Sequence, residues 1–254
     1  MEIEIDFTKS AQENAEEYFS RSKRAERKAA GADTAAEELE GRLGELDEEG
    51  EAKRQIRNIK KEWYERFNWF FTSEGMLAVG GRSAVQNEEL NSKYFEDNDL
   101  FFHADVFGAS VVILKDGGNS SSEARDETAQ FAASFSRAWE NAQTAVDVYA
   151  MRRKQVTKST GKGSLSTGSF LLEGEREWHK NVQLKLAAFM HEGKIMIAPF
   201  ITSERLKVKE RAVITIGRSK KSDAAKAISG ILPYHDIDYI MQHLPAGTFQ
   251  VKKA

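Results

Sequence analysis

The stretch Asp99–Leu114, DLFFHADVFGASVVIL, sets a polar knot between two apolar runs. His103 and Asp105 are two apart, so on an extended chain both side chains leave the same face. Gly108 permits a tight turn or a close approach of backbone to a ligand, and Ser110 adds a hydroxyl. An imidazole, a carboxylate, a glycine and a hydroxyl at one strand end make either a recognition or catalytic edge, or a hydrogen-bonded strand junction. Strand-end loops are where function concentrates. The flanking runs Leu100–Phe102 and Val111–Leu114 predict the two short buried strands that hold this knot.

Other catalytic patterns fail on inspection. Gly161–Ser164 hints at a phosphate loop, but the Walker spacing needs Gly at 156 and Ser or Thr at 163, where Val156 and Gly163 stand. Gly80-Gly81 does not complete a dinucleotide fingerprint. His103, His179, His191, His235 and His243 show no HExxH or clustered metal-ligand spacing, and no GxSxG marks a serine nucleophile. With no cysteine there is neither a disulfide framework nor a thiolate site. A nuclease holding a divalent ion with Asp97, Asp99, His103 and Asp105 is the catalytic alternative left open.

The 254 residues allow one large or two modest domains, and a composition of 30% charged, 40% apolar and 3 prolines is that of a folded protein. No apolar run approaches ~18 residues, and the N-terminus, MEIEIDF, is acidic. Neither a membrane span nor a signal peptide is expected, which points to the cytoplasm. The net charge of -3 hides an asymmetry: residues 1–62 carry 12 basic and 17 acidic side chains, and residues 63–254 carry 25 and 23. Arg152–Lys162 has five basic residues and no acid, and Ser203–Lys221 has seven against two. Local basic stripes on a near-neutral chain suit a defined polyanion site, or a Lys-guarded strand edge.

The elements that must position these groups follow from periodicity. Ser10 with Glu13 has capping-box spacing before a helix over about residues 8–30, with Gly31 as its stop. Thr34 with Glu37 opens a second helix, and Leu39, Leu43, Leu46, Ile56, Ile59 and Trp63 keep 3/4 spacing. Together they predict an αα-hairpin, a short antiparallel coiled coil. Trp63, Tyr64, Phe67, Trp69, Phe70 and Phe71 then read mostly as core. A hairpin turns at Ser73–Gly75 into a strand at Met76–Val79. Ser83 caps a helix to about Tyr94, and a helix over about 122–141 follows a Gly/Ser loop. Strands are expected at Thr144–Met151, Phe170–Leu172, Leu184–Phe189, Lys194–Pro199, Arg205–Val208 and Ala212–Ile216. Helices are expected at Ser222–Leu232 and Ile237–Leu244. The fold class is α+β: a mixed, mostly antiparallel sheet with packed helices (63–254), preceded by the coiled-coil hairpin (1–62).

The runs WYERFNWFFTSEGMLAVGGRSAVQNE (63–88) and NDLFFHADVFGAS (98–110), the helix text ending Arg137–Trp139, and the elements QVTKS and STGSF (155–159, 166–170) strongly resemble the NFACT-R domain. That is the RNA-binding domain of the ribosome quality-control proteins NEMF and RqcH. The likeness covers Trp63 to about Phe189. Residues 1–62 resemble the preceding coiled coil of archaeal members, which suggests a fragment of a longer chain. The resemblance implies a non-catalytic module that binds rRNA or tRNA on the large ribosomal subunit during rescue of stalled ribosomes and C-terminal alanine tailing. Ribosomal proteins would meet the coiled coil; no cofactor, metal or membrane is implied.

By position, Arg82 and Asn87 fall in the family's GGR and NE element, and Asp99, His103, Asp105, Gly108 and Ser110 in its Asp/His motif. Arg137 and Trp139 match the end of the helix motif. Gln155, Lys158, Thr167, Gly168 and Ser169 match the later elements. Relatives often carry His where this chain has Phe107, which weakens any histidine-pair chemistry. They often carry Trp and Pro before the QVSK element, where this chain has Tyr149 and the basic Arg152-Arg153-Lys154. Arg82, Arg137, Arg152, Arg153, Lys154 and Lys158 are thus the expected phosphate contacts, with Thr167–Ser169 adding hydroxyl and amide donors. His103 and Asp105 fix the strand edge. A protein-interaction platform, in which the basic stretches are only surface, is the rival reading.

Overall fold

The computed structural model describes residues 5–16, 18–28, 31, 62–160 and 163–254. The chain divides into two units, 1–61 and 62–254. In the first, residues 11–16 and 18–28 are helical. Both arms of the expected capping box are made: Glu13 N–H donates to Ser10 Oγ (3.3 Å), and Ser10 N–H donates to the Glu13 carboxylate (2.7 Å). Residue 31 is itself helical, so Gly31 is not the stop. The second helix and the coiled-coil pairing fall on residues outside those described.

The second unit opens with five strands: β1 (Asn68–Phe71), β2 (Leu77–Gly80), β3 (Leu100–Ala104), β4 (Val112–Leu114) and β5 (Ala145–Arg152). Four short strands follow, β6 (Val156–Thr157), β7 (Ser159–Thr160), β8 (Gly163–Ser164) and β9 (Leu171–Leu172). The rest are β10 (Glu177–Gln183), β11 (Leu186–His191), β12 (Lys194–Pro199), β13 (Ala212–Ser219) and β14 (Phe249–Lys253). They form a six-stranded sheet in the order β1-β2-β4-β3-β5-β10 and a four-stranded sheet in the order β12-β11-β13-β14, with β6 paired to β9 and β7 to β8. All of these pairings are antiparallel. The fold is the α+β class expected, and no described helix is long and apolar enough to cross a membrane.

Strand alternation builds two cores, one on each face of the six-stranded sheet. Leu100, Phe102, Val112, Leu114, Val148 and Ala150 face one side. There they join Phe131 and Phe135 of the Ser122–Ser134 helix and the inner face of the second sheet. Phe101, Ile113, Val79, Tyr149 and Met151 face the other side, against Leu90, Phe95 and Val156. The first side is closed by Glu127, which is fully buried. Its carboxylate accepts from the Ser73 amide and hydroxyl, the Thr202 hydroxyl and the Arg205 guanidinium, tying the β1–β2 turn to two helices.

Three expectations change. The Arg205–Val208 strand is instead the end of a helix, Phe200–Arg205, followed by Lys207 at φ 53°. Its apolar alternation is that of a helix exit, fixed by Thr202 and Ser203 being buried. The 122–141 helix breaks at Ser136, whose hydroxyl donates to Ala133 O and accepts from Ala138 N–H, starting a separate turn at Arg137–Glu140. Strands β10 and β14 were not anticipated. Trp69 is buried, and Trp63 stacks on Tyr94 with centroids 4.3 Å apart.

Candidate nucleic-acid interface

Strand register sorts the candidate residues to two ends of the six-stranded sheet. Gly80 pairs with Val112, Val112 with Phe102, and Ala104 with Val148. That end therefore carries Arg82, Asp105 and Ser110. Leu100 pairs with Arg152 and with Leu114, so Asp99, Lys115 and Arg152–Lys154 lie at the opposite end. Four residues along β3 separate the two, roughly 13 Å.

At the first end, Arg82 is turned inward. Its Nη2 donates to Phe67 O (2.7 Å) and to His243 Nε2 (2.7 Å), and Nε donates to Asn68 Oδ1 (3.2 Å). Burial pushes its pKa down. Asn87 is buried, and its Oδ1 accepts from Val111 N–H (3.2 Å). Gly81 packs so closely on Asn87 that no Cβ would fit. These two motif residues shape the edge; they do not project from it.

His103 follows the same logic. Its Nδ1 lies 3.2 Å from the Tyr149 hydroxyl, and its ring stacks along Phe101. Burial pushes its pKa below the ordinary value, which keeps the imidazole neutral. Asp105 is exposed, and its amide donates to Asp147 O (2.8 Å). Next comes the turn Val106–Ala109, with Phe107 91% exposed at its tip and Gly108 at φ 74°. Arg137 lies against it: a Cβ on Gly108 would stand 2.9 Å from Arg137 Nε. Arg137 is exposed, and no described carboxylate pairs with it. Ser110 is half-buried.

The QVTKS and STGSF elements fold onto the Ala84–Glu89 helix. Lys158 Nζ pairs with Glu88 and donates to Ser166 O (2.9 Å), and Gly168 N–H donates to the same Glu88 carboxylate (3.1 Å). These partners hold the Glu88 pKa below the usual range. Gly168, at φ 77°, packs on Ala84, so Thr167 and Ser169 are exposed beside the start of that helix, near Arg82. Lys158 is thus a latch whose charge is matched.

At the opposite end, Arg153 donates to Val156 O (2.9 Å) and covers the Phe95 ring, whereas Arg152 and Lys154 are exposed. The second basic stretch is dispersed as well: Arg205 pairs with Glu127 and Arg211 with Glu204. The expected cations do not form one stripe. The nuclease alternative loses its geometry. Asp99 is buried at one end of β3, bonded to Lys115 Nζ (2.6 Å) and the amides of Glu96 and Asp116, while Asp105 stands at the other end. Among the described residues no three His, Asp or Glu side chains are grouped to hold a metal.

Sequence reasoning missed an aromatic and cationic cluster where β5 meets the outer strand β10. Trp178 lies edge-on to Tyr149, Arg176 covers the Tyr149 ring at 4.5 Å and Lys180 covers Trp178 at 3.9 Å. Apolar periodicity is silent there, because the strand reads EWHKNVQ and is mostly exposed.

An α+β domain whose polar turns gather at one sheet end falls in the class of RNA-binding domains: residues 66–174 match the family model described as "NFACT protein RNA binding domain". The chain belongs to the NEMF/RqcH family of ribosome quality-control proteins. It is similar to the archaeal Rqc2 homolog aRqcH of Methanocaldococcus jannaschii, 32% identical over 209 residues, which is 79% of this chain and 31% of that protein. The NEMF homolog of Drosophila melanogaster, a ribosome quality control complex subunit, is 31% identical over 72% of this chain and 19% of its own length. The Rqc2 homolog RqcH of Streptococcus suis is 26% identical over 63% of this chain and 33% of its own. This chain spans about a third or less of each of these relatives.

Proposed function

We propose that this chain is a non-catalytic RNA-binding module of a ribosome quality-control factor, working in the cytoplasm. It would contact rRNA or tRNA on the large ribosomal subunit during rescue of stalled ribosomes and C-terminal alanine tailing of nascent chains. The carrying observation is that the family-matched segment sends the exposed Asp105, Phe107, Thr167 and Ser169, and the unpaired Arg137, to one end of the sheet. A non-catalytic role is supported by His103 being engaged by the Tyr149 hydroxyl and by the separation of Asp99 from Asp105.

The test is binding of the full chain to tRNA and to large-subunit RNA across a salt series. Arg137→Glu, and separately Arg152→Glu with Lys154→Glu, should weaken binding and flatten its salt dependence, because each removed phosphate contact lowers the slope. Wild-type affinity and slope in both variants would defeat the proposal. RNA cleaved by the wild type but not by Asp105→Ala would defeat its non-catalytic part.

A further inference from the structure

We propose that Phe107 is a stacking contact for one unpaired RNA base, and that Arg137 beside it takes the adjoining phosphate. This rests on the RNA-binding reading and assigns it a contact point. Phe107 is 91% exposed, in a domain that buries Phe67, Phe70, Phe101, Phe102, Phe131 and Phe189. Its side chain contributes nothing to the core, so an apolar ring at the tip of a polar turn is unexplained by folding.

The turn is held firmly. Asp105 N–H donates to Asp147 O (2.8 Å), Val106 N–H to Ala104 O (2.8 Å) and Ala109 N–H to Val106 O (3.3 Å). Ala109 is buried and Val106 packs against the main core. Phe107 is therefore presented on a fixed base with only its two side-chain torsions free, which limits the entropy lost on stacking. The backbone at Arg137 is anchored: Ser136 caps its turn, and the next two residues, Ala138 and Trp139, are buried. Its guanidinium lies over Gly108, where any larger residue would displace it.

Ring and cation together match a nucleotide, the ring for the base and the guanidinium for the phosphate. Asp105 is the carboxylate of the same turn, and it directs the phosphate to the Arg137 side. A protein pocket is the weaker match, since Phe107 has no other large exposed apolar residue within its turn.

The experiment measures binding of the full chain to tRNA, a mixed-sequence single-stranded RNA and a blunt RNA duplex at fixed salt. Phe107→Ala should weaken single-stranded RNA and tRNA binding by about 5- to 150-fold. Phe107→Trp should retain it, and duplex binding and the thermal midpoint should not move. Phe107→Leu keeps the apolar bulk without a stacking plane and should behave like Ala. Arg137→Gln should lower the salt slope on single-stranded RNA by about 0.7. Wild-type binding in Phe107→Ala overturns the inference, and wild-type RNA binding in Phe107→Leu overturns it in favour of an apolar contact without stacking. If the wild-type chain binds none of the three RNAs, the RNA-binding reading itself has failed and this inference with it.

Discussion

Protonating His243 should unfasten the edge that carries Arg82. The imidazole is nearly buried and stacked on Tyr239, with Nδ1 2.8 Å from Tyr239 O and Nε2 2.7 Å from Arg82 Nη2. An arginine can only donate, so Nε2 must accept, and the proton sits on Nδ1. Burial, and then the Arg82 charge, push the His243 pKa down to about 4 from an ordinary 6.5. The unfolded chain takes up this proton below pH 6.5, whereas the folded protein resists until about pH 4. Stability from this group is complete above pH 6.5 and is lost as pH falls through that window, by about 2 to 3 kcal/mol at pH 4.5. The assay is urea unfolding between pH 7.5 and 4.5 for the wild type and His243→Gln, whose Oε1 can accept from Arg82 without titrating. Carboxylates titrate in both proteins, so the difference between the two curves isolates the histidine. The wild type should lose about 2 to 3 kcal/mol more than the variant; parallel curves would refute the clamp.

Two further outcomes follow from buried or latched carboxylates. Glu127→Ala leaves the buried Thr202 hydroxyl and the half-buried Ser73 amide and hydroxyl without their acceptor and removes the carboxylate that pairs with Arg205, and should cost about 3 kcal/mol or more in chemical denaturation; a loss under about 1 kcal/mol would mean that the network relaxes around the gap. Glu88→Gln should speed hydrogen exchange at the Gly168 amide, which donates to that carboxylate, with the global midpoint unchanged because Glu88 is half-exposed; unchanged exchange would show that the Thr167–Ser169 turn is held by other contacts.

The elements built on apolar alternation were readable: β3 and β4 carry side chains into a core on both faces, so their runs are continuous. The caps at Ser10 and Ser83 were readable too, because a hydroxyl serving a free amide is a local event. Strand β10 was not, since its outer edge is solvated and its residues satisfy pairing through the backbone alone. The candidate site was legible as a set of residues and misread as a set of roles. Arg82, Asn87 and Lys158 read as surface donors because sequence shows charge and polarity. It does not show that Phe67 O, His243, Val111 N–H and Glu88 already occupy them. Conversely, Phe107 entered only as a departure from a histidine, and its exposure could come only from the turn geometry.

This difference between a satisfied cation and a free one has a measurable consequence. Six cations were expected at phosphates, yet three of them spend donors inside the protein: Arg82 on Phe67 O and His243, Arg153 on Val156 O, and Lys158 on Glu88 and Ser166 O. A group whose donors are committed must break those bonds to reach a phosphate, whereas Arg137, Arg152 and Lys154 need break none. Releasing counterions requires a cation that closes on the backbone, and a single-stranded RNA yields about 0.7 in slope per phosphate so neutralised. Neutralising Arg137, Arg152 and Lys154 to Gln together should therefore reduce the salt slope by about 2 while the thermal midpoint stays put. Neutralising Arg153 and Lys158 should leave the slope unchanged, because their donors are already spent inside the protein. If both sets lowered the slope alike, the internal bonds of Arg153 and Lys158 would have to open on binding, and the division of these cations into scaffold and contact residues would be wrong.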